Sequence, residues 1–207
     1  MSQIFTAYFY IDMDQQPDLM NLVDVIQDYS FCYIGSGYDF VLDGGEFREV
    51  ESNFPVWSVD DLHALGSHAI FTNQMWEGKE DSGFSIRFLK HHAGWVAMFQ
   101  CSNHDLDRIG RHFNGTGKSI VNLFIDLYLV LSAKNITIFN EFGLNIGQYL
   151  KFVDAGFLVH EKISDSIVAV LGLPDQCNSK LLNRGFDLLK VNGLDFYAGW
   201  PFDFSKS

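Results

Sequence analysis

The 207-residue sequence has few cysteines and few prolines, three and four respectively. Cys32, Cys101 and Cys177 lie far apart and lack CxxC spacing, so we expect free, buried thiols in a reducing compartment rather than disulfides or metal ligands. The sequence contains no internal repeat, proline-rich linker or low-complexity segment, which favours a single domain over residues 1–207. Two lobes divided near residues 74–83 are the alternative, because this stretch is the best candidate for a flexible loop.

A basic N-terminal region and long apolar runs are also lacking. The first residues, MSQIFTAYFYIDMD, contain no Lys or Arg, and their apolar run stops at Asp12 and Asp14. The longest apolar stretch, residues 119–133, is interrupted by Asn122 and Asp126 and is shorter than the roughly 20 residues that span a bilayer. We therefore expect no signal peptide, no contact with membranes and a cytoplasmic location.

Basic residues are scarce as well: 14 Lys and Arg stand against 26 Asp and Glu, a net charge of −12. This balance argues against binding to nucleic acids or to anionic membranes. Residues 1–81 contain 15 acidic and two basic residues, a net of −13, whereas residues 82–207 contain 11 acidic and 12 basic residues, a net of +1. Because such crowding adds nothing to stability, it forms either a solubilising face or a surface that attracts a basic partner.

Motifs of common enzymes are absent or incomplete. There is no GxSxG nucleophile elbow, and GSG at 35–37 precedes a strand-like run where a dinucleotide site requires a helix. NGTGKS at 114–119 resembles the end of a phosphate-binding P-loop, but His112 replaces its first glycine. Asn122 and Asp126, one turn apart, form a buried acid–base pair or, as we favour, are held by backbone or Tyr groups. These gaps favour a binding protein over an enzyme, and we assign no catalytic residue and no cofactor.

Four histidines occur within 22 residues, near Asp105 and Asp107: His91, His92, His104 and His112. A metal site needs ligands that converge, and we expect the neighbours His91 and His92 to point apart in a turn. We therefore interpret these side chains as exposed turn histidines and assign no metal ligand. The alternative function is an enzyme acting on a phosphate-containing small molecule through a His/Asp site near residues 104–119.

The spacing of apolar residues predicts an α+β fold. Aromatic and β-branched residues at 3–11 predict a strand, and the spacing of apolar residues over 17–28 predicts an amphipathic helix. Residues 84–89 and 95–101 predict a β-hairpin. Residues 118–133 are apolar almost all round, which predicts a buried central helix. The expected architecture is a mixed or antiparallel sheet around this helix, with flanking helices.

Shorter elements follow from turn signals and local patterns. Two short strands, 31–34 and 38–42, are expected on either side of a GSG turn. Ser58 followed by Asp61 predicts the start of a short helix that ends near Gly66. The remaining expected elements are a helix at 103–112, a strand at 136–139, a helix at 145–154 and a strand at 166–171.

The acidic part of the chain also carries aromatic residues suited to an interface. Trp57 lies within an acidic stretch, and Trp76 is followed by Glu77, Glu80 and Asp81. Aromatic anchors inside a charged rim are typical of protein-binding hot spots. In this overall character, carried by the segment from Asp43 to Asp81, the chain resembles the immunity proteins of bacterial toxin systems.

The resemblance implies stoichiometric binding of a cognate toxin and occlusion of the toxin's active site, and it transfers no individual residue. For a basic toxin, such as a nuclease with a positively charged groove, the acidic segment itself supplies the predicted contacts. The predicted partner-binding residues are Glu46, Glu49, Trp57, Asp60, Asp61, Trp76, Glu77 and Glu80. The sequence leaves the oligomeric state open, including a homodimer.

Overall fold

A computed structural model describes residues 4–15, 19–41, 47–52, 69–92, 94–139, 146–157, 167–191 and 193–199. The strands in these ranges are β1 (Ile4–Asp12), β2 (Cys32–Val41), β3 (Phe47–Ser52), β4 (Ala69–Glu77), β5 (Gly83–His91), β6 (Gly94–Ser102), β7 (Asn135–Phe139), β8 (Ile167–Leu171), β9 (Asp187–Val191) and β10 (Leu194–Ala198). The α-helices are α1 (Leu19–Asp28), α2 (Asn103–His112), α3 (Ile120–Val130), α4 (Ile146–Asp154) and α5 (Asp175–Leu182). Lys79–Asp81 form a single 3-10 turn.

All ten strands belong to one sheet, in the order β3-β2-β4-β5-β6-β1-β7-β8-β10-β9. Each neighbouring pair in it is antiparallel. β1 lies inside the sheet, where Tyr8 is opposite Met98 on β6 and Thr137 on β7. The α+β fold predicted from the sequence, with an antiparallel sheet and flanking helices, is confirmed.

Helices cover both sides of the central strands. Because side chains alternate along a strand, Phe9 on β1 faces one side while Tyr8 and Tyr10 face the other. The side of Phe9 packs against buried residues of α1, α2 and α3, and the side of Tyr8 packs against buried residues of α4 and α5. This double coverage explains why β1 is apolar at nearly every position.

The predicted buried helix corresponds to α3. The helix starts after Ser119, whose hydroxyl accepts a hydrogen bond from the Asn122 N–H at 3.2 Å. Its buried residues are Val121, Leu123, Phe124, Ile125 and Leu127. The Phe124 ring lies 5.1 Å from that of Phe99 and 6.1 Å from that of Phe9, which anchors α3 on the sheet. Burial of one such ring contributes about 2 kcal/mol.

Two local expectations are wrong. The GSG sequence is not a turn, because β2 continues through it, and the register with β4 shifts between Tyr33 and Gly35. Such shifts are where glycine is tolerated inside a strand. The stretch 74–83 is not an extended loop either, since β4 runs to Glu77 and β5 begins at Gly83.

Two further expectations concern residues or properties that the structure leaves open. The helix expected from Ser58 to Gly66 lies outside the described residues, and the single domain over 1–207 stays a prediction. Across the described ranges, no helix combines the length and apolar character needed to cross a bilayer.

Candidate functional site

The strands β2, β3 and β4 lie side by side and form one end of the sheet, which we call the acidic end. They come from the part of the sequence that carries the excess of acidic residues. Within them, the register places Asp39 on β2 opposite Glu49 on β3.

Further carboxylates are exposed near the acidic end. Glu77 is exposed at the last position of β4, and Asp81 is exposed in the turn that follows. Asp24 and Asp28 are exposed on α1, a helix that contacts β2. Cationic side chains lie beside two of these residues, because Lys118 donates to the carbonyl oxygen of Asp28 and Arg108 donates to that of Asp81.

The structure places half of the predicted partner-binding residues. Glu49 lies on β3, Glu77 ends β4, and Glu80 lies in the 3-10 turn. The remaining four are outside the described residues: Glu46, Trp57, Asp60 and Asp61. Their roles stay predictions.

Trp76 is corrected by the structure, because its side chain is only 1% exposed and belongs to the core. In the sheet it pairs with Tyr33 on β2 and Phe84 on β5, and the Tyr33 ring meets it edge-on with centroids 5.4 Å apart. A partner cannot reach this indole, so Trp76 is not a surface anchor. Burying the large indole between two strands is favourable, and this gain decides its position even though the next residues in the sequence are acidic.

His112 is a buried structural residue. The backbone N–H of Lys79 donates a hydrogen bond to its Nδ1 at 3.0 Å, and its Nε2 lies 2.8 Å from the carbonyl oxygen of Tyr29. Because Nδ1 accepts, the ring hydrogen is on Nε2, which donates to that carbonyl. One imidazole therefore joins the 3-10 turn, the end of α1 and the end of α2, and neither nitrogen is free to bind a ligand.

His104 and Asp105 do not complete a site with His112. His104 is exposed, whereas Asp105 accepts a hydrogen bond from the Ser102 hydroxyl at 2.6 Å. The Asp105 N–H in turn donates to the Ser102 oxygen at 3.0 Å, which caps α2. The alternative of an enzyme site near residues 104–119 finds no support in this geometry.

The loop 114–119 is likewise fastened rather than open. Gly115 and Gly117 have φ angles of +75° and +72°, a left-handed conformation that favours glycine. The Lys118 ammonium donates to the carbonyl oxygen of Asp28 and lies 4.8 Å from the centre of the Tyr29 ring. These contacts attach the loop to the end of α1, and its glycines shape the backbone rather than cradle a phosphate.

Asp126 is held by a tyrosine, as the sequence analysis favoured. The Tyr29 hydroxyl donates a hydrogen bond to Oδ2 of Asp126 at 2.6 Å. Burial, followed by this hydrogen bond, raises the pKa of the Tyr29 hydroxyl well above its usual value. The contact links α1 to α3 and leaves Asp126 engaged in structure.

His91, His92 and Asp154 converge at the far end of β5, and we call them the histidine cluster. Nε2 of His91 lies 3.3 Å, and Nε2 of His92 3.5 Å, from the same Asp154 oxygen. The two imidazole rings are 3.9 Å apart, so the expectation that they point apart is wrong. His91 ends β5 and His92 begins a turn, and strand alternation no longer applies across that step.

The electrostatics of the histidine cluster favour the neutral form of the His91 imidazole, as its lowered pKa shows. Burial, reinforced by the neighbouring His92, lowers the pKa of His91, while Asp154 acts in the opposite direction. Beside the cluster lies an open cleft of about 620 Å³, lined by Tyr10, Lys134 and Phe157 among others. Sequence reasoning missed Asp154, since nothing in its surroundings connects it to the His91–His92 pair.

Comparison with known proteins yields little. No protein-family model matches the chain, and no curated protein matches it. A similar solved structure is a chain from the crystal structure of the toxic C-terminal tip of CdiA from Pseudomonas aeruginosa in complex with immune protein. It is 14% identical, covers 68% of this chain and 88% of that chain, and gives a TM-score of 0.36. A TM-score this low carries no argument about fold or function.

Proposed function

We propose that the chain is a non-enzymatic binding protein, acting in the cytoplasm as an immunity protein that neutralises a basic toxin by stoichiometric binding. The observation that carries the proposal is the position of β2, β3 and β4 together at one end of the sheet. These three strands carry several acidic residues of the segment from Asp39 to Glu77. A concentrated negative surface accelerates association with a positively charged partner and rejects acidic ones.

The proposed mechanism is occlusion of the toxin's active site. A nuclease toxin has a positively charged groove for its substrate, and carboxylates that enter this groove exclude the substrate. The acidic residues proposed to pair with Lys and Arg of the toxin are Glu46, Glu49, Asp60, Asp61, Glu77 and Glu80. Trp57 is the proposed aromatic anchor, and Trp76 instead supports the strand that carries Glu77.

The first test identifies the partner. The tagged full chain is used to capture proteins from a lysate of its source cells at low and at high salt, and bound proteins are identified by mass spectrometry. We expect one basic protein in stoichiometric amount, released as salt rises because screening weakens exposed charge pairs. The captured protein is then produced in cells with and without the chain, and growth must stop only in the absence of the chain.

A matched pair of triple variants tests the acidic end. Glu49→Lys, Glu77→Lys and Glu80→Lys are combined in one variant, and exposed acidic residues elsewhere are reversed in the other: Asp107→Lys, Asp175→Lys and Asp187→Lys. Both variants move the net charge from −12 to −6, so they differ only in where the charge lies. We expect the first to bind the toxin at least about tenfold more weakly at low salt and the second to bind within about threefold of wild type. Equal losses in the two variants, or a captured protein that is not toxic, would refute the proposal.

A further inference from the structure

We propose that His91, His92 and Asp154 bind a zinc ion, with a fourth coordination position open toward the neighbouring cleft. The proposal concerns the turn after β5 and the end of α4, and it is independent of the acidic end and of any toxin. Two imidazole nitrogens and one carboxylate oxygen are ligands that Zn²⁺ takes in proteins, and sites with three protein ligands keep one position for water or another ligand.

Two of the three separations between ligand atoms match those around a shared ion. In a tetrahedral zinc site the ligand atoms lie about 2.0–2.2 Å from the metal, which places them roughly 3.3–3.6 Å from one another. The two measured separations are 3.3 Å from His91 to Asp154 and 3.5 Å from His92 to Asp154. All three ligand atoms lie within 4.8 Å of one another. Hydrogen bonds between such groups are shorter, about 2.7–3.2 Å, so the cluster is slightly too wide for a hydrogen-bonded pair.

The burial of the three side chains differs in a way that suits binding of an ion from solvent. The His91 side chain is 9% exposed, whereas those of Asp154 and His92 are 46% and 74% exposed. Nδ1 of His91 is buried without a hydrogen-bond partner among the described residues, so this ring relies on Nε2 for its polar contact. An ion on Nε2 would be the polar partner of this ring, and the two exposed ligands leave a path by which an ion enters from solvent.

Two structural elements present the ligands. His91 ends β5 opposite Gly94 in the hairpin, and Asp154 is the last residue of α4. Gly94 packs so closely against the backbone of Ile11 that a side chain there has no room, which holds the hairpin against β1. His92 and Asp154 also line the cleft, so the open position of the ion faces it. Lys134 also lines this cleft, and its ammonium pairs with the Asp12 carboxylate at 3.1 Å.

Zinc titration of the full chain tests the proposal. The protein is dialysed against a chelator, transferred to metal-free buffer and titrated with Zn²⁺ in a calorimeter, and Co²⁺ serves as a spectroscopic probe. We expect one zinc per chain, a rise in melting temperature on zinc addition, and the intense visible absorption of Co²⁺ in tetrahedral rather than octahedral coordination.

Matched variants locate the ion. His92→Ala and Asp154→Asn remove ligands at exposed positions, so their folding is checked by circular dichroism and is expected to persist. Each is expected to weaken zinc binding at least tenfold, because the ion loses one of its three bonds to the protein. The controls His104→Ala and Asp175→Asn change exposed residues of the same types and are expected to bind within about twofold of wild type. Absence of zinc binding by wild type, or unchanged binding by both ligand variants, would overturn the proposal.

Discussion

Tyr29, just beyond α1, collects contacts from three other parts of the chain. Its hydroxyl bonds Asp126 on α3, its carbonyl oxygen accepts from His112 at the end of α2, and its ring lies under the Lys118 ammonium. The ring also packs edge-on against Phe113, with centroids 5.8 Å apart. The residue thus fastens α1 to the segment that includes α2, the glycine loop and α3.

Replacing Tyr29 with Phe isolates the bond to Asp126. We expect Tyr29→Phe to lower the free energy of unfolding by about 1–3 kcal/mol, because a part-buried carboxylate loses its donor while the ring stays in place. Urea unfolding at neutral pH measures the change. The matched control is Tyr128→Phe on α3, whose hydroxyl makes no hydrogen bond within the described ranges, and we expect a change below about 0.5 kcal/mol. Equal effects of the two substitutions would contradict this role for Asp126.

For single residues, the sequence predicts the type of partner better than it predicts whether the side chain is buried or exposed. The sequence predicts a tyrosine or backbone partner for Asp126, and the partner is a tyrosine. It also predicts Trp76 at a binding surface and His112 in an exposed turn, and both predictions are wrong. Trp76 is in the core and His112 has both nitrogens bonded to backbone groups. Burial of a single side chain depends on strands and helices distant in the sequence, and local patterns do not contain that information.

At the scale of elements, the turn between α2 and α3 owes its shape to glycine. Gly117 has a φ of +72°, whereas Gly110 lies within α2, and an added methyl group meets no atom within 4 Å at either position. Neither position therefore has a neighbouring atom that an alanine side chain would clash with, and the two positions differ in backbone conformation. This makes the two glycines a controlled pair.

We expect opposite effects from the same substitution at these two positions. Gly110→Ala should raise the free energy of unfolding by about 0.5–1 kcal/mol, because alanine favours helix and restricts the unfolded chain. Gly117→Ala should lower it by about 1–2 kcal/mol, because a β-carbon is strained in the left-handed region. Thermal and urea unfolding of both variants check the signs. Changes of the same sign would show that the loop adopts another backbone conformation.

The elements that were predicted correctly share strong and local patterns. The hairpin β5–β6 follows from alternation over residues 84–89 and from the apolar run that returns after the turn, and α3 follows from a nearly continuous apolar run. In contrast, GSG at 35–37 predicts a turn that is absent, because glycine occurs in both turns and bulges and only the pairing with β4 distinguishes them. The sequence does not predict β9, which is an edge strand. Its apolar residue Leu188 is 43% exposed, so the pattern of apolar residues does not match the pattern of burial there.

At the scale of the whole molecule, buried tyrosines make the folded state sensitive to alkali. Burial raises the pKa of Tyr8 from its usual 10.0 to about 12 and also raises the pKa values of Tyr10 and Tyr149. In the unfolded chain these hydroxyls ionise near pH 10, so the unfolded state releases protons before the folded state does. The stabilisation is complete below pH 10 and is lost as the pH rises toward 12.

Burial also raises the pKa of the Cys101 thiol well above its usual 9.0, so this thiol ionises in the unfolded chain before the tyrosines do. We therefore expect the urea midpoint to be constant between roughly pH 7 and 8 and to fall progressively above about pH 9. The Tyr8 hydroxyl alone accounts for roughly 2 kcal/mol of the loss by pH 12. Tyr8→Phe removes this group, and its stability should fall less steeply than that of wild type over the same range. An identical pH dependence of the two proteins would exclude Tyr8 as a contributor.

The interior position of β1 also determines when the sheet can close during synthesis. β1 comes first among the described strands, but both of its neighbours, β6 and β7, leave the ribosome much later. Until residue 139 has emerged, one or both edges of this highly apolar strand have no partner from their own chain. Pairings over such separations form slowly, and unpaired apolar edges are where nascent chains aggregate. The strand at the centre of the completed sheet is therefore the one that waits longest for its partners during synthesis.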